Sequence, residues 1–435
     1  MIIMDTTRAD RCSAYGYERD TTPFLRELSD ESTRYTNTYS TSCWTVPAHG
    51  SILTGNYAIR HGATQENLNL ATVHLTLPEV FQSQGYSTIG IAENAMLVGK
   101  RGFAQGFDVY HEAFRSAKKG LPGQNALDLF QRELNKRDHG KPFFAFVNLI
   151  APHSPYTPPQ EFREKFLPGA APGLNSNRWR DHYLGKQRFT NEQLEILRRL
   201  YDAEIAHTDY IVRKMAEYLQ ENGTWDDTIF IVTSDHGENI GDHGHMDHVF
   251  CLYDTVTKVP LIIRDPRSLR RSTDGRPVQV HDLFLTTIDM AGLTTDAHVV
   301  HGLSLANGVI PGDRPMFAEY YQPVQALRAF KEVDRQSPTL DPFRRRIRSI
   351  VHGGFKYVWG SDGKHELYHL AEDPGEMSNL TASAEHSKQQ EQLDAMLKEW
   401  TITASKGAQE ITAPQMIDEG IEQDTRDALE SLGYL

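Results

Sequence analysis

Two features of the chain carry side chains whose types and spacing could do chemistry. The first is STSCWTVPAHGSILTGNY, residues 40–57, where Cys43 and Thr45 precede Pro47 and an apolar run closed by Thr54-Gly55. Pro47 suits the start of a helix and Gly55 its C-terminal cap, which puts Thr45 at or just before the amino end. Free backbone N–H groups and the helix dipole favour an anion at such an end. Thr45 is a plain capping residue on the simplest reading. As a nucleophile its hydroxyl needs a base or a metal, because an alcohol is almost fully protonated at neutral pH. The second feature is a set of residues at strand ends, Asp5 after MIIM and Asp235-His236 after TIFIVTS. Ligands gather outside the carboxyl ends of strands in open α/β sheets. Two carboxylates and an imidazole brought together there make a site for one divalent cation. Taken singly, each carboxylate reads more simply as the cap of a turn or helix.

A sheet has to bring these residues together. MIIM (1–4), STIGIA (87–92), FFAFVNLI (143–150), TIFIVT (228–233) and VPLIIR (259–264) are short apolar runs that read as buried strands. Amphipathic segments such as residues 191–222 separate them. The alternation specifies an α/β fold: a large, mixed, mostly parallel sheet flanked by helices. After about residue 315 the pattern changes. Residues 347–370 read as three antiparallel strands turning at His352-Gly353-Gly354 and Gly360-Ser361-Asp362-Gly363, and residues 383–400 as a helix. The expected organisation is a catalytic domain over 1–315, a small α+β subdomain over 316–400, and a tail over 401–435. That tail either docks on its own chain or reaches another subunit, giving a homo-oligomer. MIIM is short for a central strand, where about five or six residues are usual, so either the strand is clipped or the true start lies upstream.

The 435 residues are 39% hydrophobic and 24% charged, with a formal charge of −13. No basic patch stands out, which argues against a general nucleic-acid binder. A small anionic substrate remains compatible, because a cation and a few positive groups reverse the field inside one pocket. Cys12, Cys43 and Cys251 are scattered and lack CxxC spacing, which argues against a disulfide framework and a structural zinc site. No basic-then-apolar leader opens the chain, and the apolar stretch FFAFVNLIA (143–151) is too short to span a bilayer. The expectation is a cytoplasmic protein with no membrane partner.

At these residues the chain resembles the sulfatase family within the alkaline phosphatase superfamily. DTTRAD is similar to the family's first metal-binding segment, TVPAHGSILTG to its signature C/S-x-P-x-R-x-x-x-x-T-G, and TSDHGENIGDHG to its second metal-binding segment. HVFCLYDTVTKVPLII matches the segment that follows, APHSPYTPP the His-x-Pro loop, and ELYHLAEDPGEMSNL the C-terminal segment. The matches occur in the family's order from residue 1 to about residue 380. They imply an alkaline phosphatase-like fold, an ester hydrolase, and one divalent metal held by Asp5, Thr45, Asp235 and His236.

The family's reacting residue stands two before the proline, which is Thr45; Cys43 stands four before it, out of register. Sulfatases oxidise a cysteine or serine there to formylglycine. Threonine cannot give that aldehyde, since its β-carbon already carries a methyl group. Unmodified threonine resembles instead the superfamily's phosphodiesterases, phosphonate hydrolases and phosphoglycerol transferases. Other departures accompany it: Thr6 replaces a second aspartate, His49 the signature arginine and Asn94 a lysine, while the family's further lysine or histidine falls on His248. Fewer carboxylates and more imidazoles favour manganese or zinc over calcium or magnesium. The resemblance implies catalytic roles for Thr45, His49, His153, His243 and His248, with Asn94, His153 and His248 on the substrate. His49 would orient Thr45, and the other histidines would bind non-bridging oxygens and protonate the leaving oxygen. Arg8 and Asp10 read as a supporting charge pair, His245 and Asp247 as exposed bystanders, and His61 as structural. Glu204-x-x-His207 has the wrong spacing for a second metal. The activity this implies is hydrolysis of phosphodiesters or phosphonate esters through a covalent phosphothreonine. The competing readings are a sulfatase working without formylglycine and a non-catalytic binding protein.

Overall fold

A computed structural model describes residues 1–435 apart from 117–121, 170–173, 175–178, 270, 298, 307–309, 331–337, 409–421, 433 and 435. Parts of the loops 95–130 and 155–190, and of the tail 401–435, therefore lie outside the described residues. The frame is an eight-stranded sheet. Its strands in chain order are β1 (Ile2–Met4), β2 (Thr33–Tyr35), β3 (Ser87–Ala92), β4 (Val109–Glu112), β5 (Phe143–Leu149), β6 (Phe230–Thr233), β7 (Leu261–Arg264) and β8 (Ser272–Asp274). They lie side by side as β8-β2-β7-β6-β1-β5-β3-β4. β1 runs parallel to β5 and β6, and β3 parallel to β5 and β4, whereas β7 is antiparallel to β6 and β2. Each apolar run read as a strand is one, shortened by at most two residues at its start or, in FFAFVNLI, by one at its end. β2, β4 and β8 give no such signal, because TRY, VYHE and STD are short and mostly half-buried.

Side chains alternate across the sheet, as strand geometry requires. Ile2 and Met4 join the core that holds helices α2 (Gln124–Lys136) and α3 (Asn191–Glu221), while Ile3 joins the core of α1 (Thr45–Thr54) and α4 (Asp282–Met290). Both faces are thus covered, which is why the strands are apolar almost throughout. α3 begins at a capping box, in which Thr190 and Gln193 satisfy each other's backbone N–H. β1 has only three residues, and the Met1 amine extends its pairing by donating to Ala145 O at 2.8 Å.

The C-terminal part adds a four-stranded antiparallel sheet of β9 (Met316–Tyr320), β10 (Ile347–His352), β11 (Phe355–Gly360) and β12 (Glu366–His369). The three-stranded meander thus gains β9. Its sequence MFAEY gives no clear strand signal because the buried Glu319 interrupts the apolar run, taking the Ile59 N–H at 2.9 Å. The helix read over 383–400 forms as α5 (Ser387–Ala404), after one 3₁₀ turn. The described end of the tail, α6 (Gln423–Ser431) with Leu432 and Tyr434, docks on its own chain.

Candidate active site

The carboxyl ends of β1 and β6 are neighbours, and Asp5 and Asp235 follow them within two residues. Both are fully buried. Asp235 Oδ1 accepts the N–H groups of Thr6 (3.1 Å) and His236 (2.9 Å), which ties the two loops together. Asp5 Oδ2 accepts from Asn94 Nδ2 at 2.8 Å and Asn148 Nδ2 at 2.9 Å, so β3 and β5 also converge here. Asp5 Oδ1 and Asp235 Oδ2 have no hydrogen-bond donor. Ligand atoms of Asp5, Asp235 and His236 all lie within 4.8 Å of one another. Two buried carboxylates with unpartnered oxygens are costly unless a cation joins them. Burial, helped by the neighbouring His248, pushes the His236 pKa well below its usual value and keeps the imidazole in its ligating form. This donor set fits a divalent metal.

α1 starts at Thr45, two residues earlier than a Pro47 start would have it. Trp44 precedes it in an extended conformation (φ −144°, ψ 147°) without a side-chain cap, and Pro47 in the first turn has no N–H to offer. The helix ends as read, on Gly55 at φ 69° with its N–H on Ser51 O. Thr45 Oγ1 lies 3.4 Å from His236 Nε2 and 3.2 Å from Asn94 Nδ2. One turn on, His49 Nδ1 donates to Thr45 O at 2.9 Å and stands 3.4 Å from Asp235 Oδ2. His61 is buried behind the helix, accepting the Ala63 N–H at Nδ1, and Gly50 leaves room for its ring.

Beside this group, His153 meets His248 edge-on with centroids 4.9 Å apart, and His236 lies tilted against His248 with centroids 4.5 Å apart. His248 Nδ1 lies 3.0 Å from Asp247 Oδ1 and 3.4 Å from Glu238 Oε1. Burial opposes its charge, but the two carboxylates outweigh it and raise its pKa well above the ordinary value. Asp247, itself opposed by burial, is held below the carboxylate range by His248. Burial raises Glu238 to about 7. Glu238, Asp247 and His248 also have the spacing of a metal triad, but His248 Nδ1 itself stands between the carboxylates, where its proton does the work of a cation. His153 is pushed below its usual value by burial and by His248.

Two sequence expectations need correction. His243 lies apart from Thr45, stacked on Tyr253 with centroids 3.7 Å apart, because the turn at Gly241–Gly244 aims it at the C-terminal sheet. Asp247 is no exposed bystander: it is buried and paired to His248, whereas His245 is half-buried against Tyr183. Glu204 instead serves the Thr157 N–H at 2.6 Å, and the His207 ring lies against Phe162. Arg8 forks onto Asp10 at 2.8 and 2.7 Å and reaches Asp242 at 2.9 Å, fastening the 236–242 loop. Asn148, Glu238 and Tyr434 were missed. Asn148 was findable from its place at the carboxyl end of FFAFVNLI; Glu238 and Tyr434 carried no signal. A cavity of about 510 Å³ opens at the opposite edge of the sheet, by Met1, Phe143 and Ile229, remote from this chemistry.

Carboxylates, imidazoles and a helix-head hydroxyl converging at the carboxyl edge of a mostly parallel sheet define the site of an α/β hydrolase. The chain belongs to the sulfatase family, whose members use a divalent metal: the family model described as Sulfatase matches residues 1–293. A second, described as N-sulphoglucosamine sulphohydrolase, C-terminal, matches residues 241–403. Relatives include an N-acetylglucosamine-6-O-sulfatase of Bacteroides thetaiotaomicron, 23% identical over 91% of this chain and 84% of that protein. Another is an arylsulfatase of Clostridium perfringens, 25% identical over 91% of this chain and 92% of that protein. The solved phosphonate monoester hydrolase of Agrobacterium radiobacter shares the fold with a TM-score of 0.74 at 22% identity, covering 93% of this chain and 95% of that one. Among the described residues, no helix is long and apolar enough to cross a membrane.

Proposed function

We propose that the protein hydrolyses phosphodiester or phosphonate esters, with Thr45 as the nucleophile. The observation that carries this reading is a secondary alcohol that cannot become formylglycine, Thr45 Oγ1, beside His236 Nε2 and the unpartnered oxygens of Asp5 and Asp235. A divalent cation held by Asp5, Asp235, His236 and Thr45 would supply the positive charge that lowers the hydroxyl's proton affinity and offsets the anionic ester. Manganese or zinc suits the site best, since Thr6 stands where a further carboxylate would favour calcium. Asn94 Nδ2, between Asp5 and Thr45 Oγ1, fixes the nucleophile's direction, and the branched β-carbon restricts its rotamers.

The substrate is a small anionic ester. The Thr45 hydroxyl gives its proton up to solvent as its oxygen bonds to phosphorus and the bond to the leaving oxygen breaks, and the leaving oxygen takes a proton from His248. Water then adds its hydroxide to phosphorus and its proton to the vacated imidazole, while the Thr45 oxygen departs and takes a proton back from solvent. His49 holds the Thr45 carbonyl and keeps the nucleophile's turn in place. The buried, unpaired cysteines fit a reducing compartment, and we place the protein in the cytoplasm. Sulfate-ester hydrolysis is the second reading, favoured by the activities named for the Bacteroides and Clostridium relatives. Comparison of kcat/KM for an aryl phosphodiester, an aryl phosphonate monoester and an aryl sulfate decides between them. The phosphorus esters are expected to lead; a leading sulfate ester overturns the proposal.

A further inference from the structure

Tyr434, next to the end of the chain, sits inside the site. Its hydroxyl lies 2.8 Å from His153 Nε2 and 3.2 Å from His248 Nε2, and its ring meets Trp44 edge-on with centroids 6.2 Å apart. The hydrogen bonds have a defined direction. His153 Nδ1 faces the Ser154 carbonyl at 2.6 Å, so Nδ1 carries a proton and Nε2 accepts from the phenol. His248 Nδ1 faces Asp247, so its Nε2–H donates to the phenol oxygen.

We propose that the space between Trp44, His153 and His248 is a subsite for an aromatic alcohol, the leaving group of the ester, and that the chain's own Tyr434 fills it here as a tethered stand-in. The assignment rests on the reading of His153 and His248 as partners of the leaving oxygen. Three observations support it. The phenol oxygen accepts from His248 as a departing alkoxide taking up a proton would, and donates to His153 as the resulting alcohol would. Asp5, Thr45, Asp235, His236 and His248 are fully buried and His153 is 2% exposed, so no ester reaches Thr45 while Tyr434 is seated. The cavity left beside Trp44, Asp247, Leu432 and Tyr434 holds only about 20 Å³, far too little for an ester.

The segment is also lightly held. Among its described residues, Leu429 is the one fully buried apolar side chain. The ion pairs of Glu422 with Lys100 and Arg115 lie at the surface, where such pairs are weak. If it exchanges between a seated and a withdrawn state, the apparent substrate affinity is the intrinsic affinity multiplied by the fraction withdrawn.

The test uses the full chain as wild type, Tyr434→Phe and Tyr434→Ala, with p-cresol as the probe. Calorimetry is expected to show p-cresol binding Tyr434→Ala at least about tenfold more tightly than wild type, since the ring's place is vacated. Towards the aryl phosphodiester, kcat/KM is expected to rise about tenfold or more in Tyr434→Ala and by less in Tyr434→Phe, which loses only the hydroxyl's bonds. p-Cresol should compete with the ester in Tyr434→Ala. Equal p-cresol binding by all three proteins overturns the proposal. So does a fall in kcat in both variants that p-cresol restores, because the phenol then takes part in the reaction. If p-cresol binds Tyr434→Ala alone while none of the three turns over any phosphorus ester, the subsite stands and the ester reading falls.

Discussion

Replacing Asp247 with asparagine removes one charge from the most heavily buried ion cluster of the site and changes little else. His248 and Asp247 stand 3.0 Å apart, with 0% and 9% of their side chains exposed. At an effective dielectric constant of about 20, unit charges at that separation attract by about 5.5 kcal/mol. Losing one partner of a buried pair typically costs about 3–5 kcal/mol. Glu238 remains 3.4 Å away and takes up part of the charge, so the expected loss for Asp247→Asn is about 3 kcal/mol near neutral pH.

The pH dependence has a defined sign. His248 is raised above its unfolded value, so its contribution is fully present below a pH of about 6.5 and is lost as pH rises through the raised value. Asp247 is depressed, so its contribution is present above a pH of about 3.9 and is lost as pH falls through the depressed value. The gap between wild type and Asp247→Asn should therefore be widest in mildly acidic buffer and close towards alkaline pH. Urea unfolding of the two metal-free proteins over that range measures it. The alkaline limb of kcat/KM should move to lower pH in the variant, since the imidazole then gives up its proton more readily. A loss under about 1 kcal/mol in mildly acidic buffer, or a gap that widens as pH rises, refutes this charge arrangement.

Thr45→Ala should lower kcat at least about a thousandfold with little change in Tm, while Thr45→Ser keeps measurable turnover; steady-state kinetics and thermal melts check both. Manganese or zinc at a hundred times its Kd should stabilise the metal-stripped protein by about 2.7 kcal/mol in melts. Asp235→Asn should abolish that response. Without metal the same variant should be about 1 kcal/mol more stable than wild type, because one of two facing buried carboxylates is gone. Gly50→Ala should destabilise by about 1–3 kcal/mol, although alanine favours helices. Its Cβ would fall 2.6 Å from His61 Cε1, and denaturant melts read the sign.

The convergence of Asp5, Asp235 and His236 was legible because it depends on strand ends. Asp5 and Asp235 close apolar runs that could only be central strands, and parallel neighbours bring their carboxyl ends together. Thr45 was legible for a related reason, since Pro47 and Gly55 bracket a helix whose head faces that edge. His243 was misread because composition alone cannot aim a side chain: in GDHGHMDH, the left-handed turns at Gly241, His243, Gly244 and Asp247 send His243 outward and His248 inward. Glu238 looked like an ordinary loop residue, and only packing reveals that it is buried against His248. The role of Tyr434 depends on a contact with His153 across 281 positions, which no local pattern encodes.

The most direct measurement is a rapid acid quench during turnover of an aryl phosphodiester, followed by digestion and mass spectrometry of the peptides. The expected result is a phosphoryl group on the peptide carrying Thr45, appearing before steady state and absent from Thr45→Ala. Product formed with no such adduct at any quench time, or an adduct on another residue, contradicts attack by Thr45.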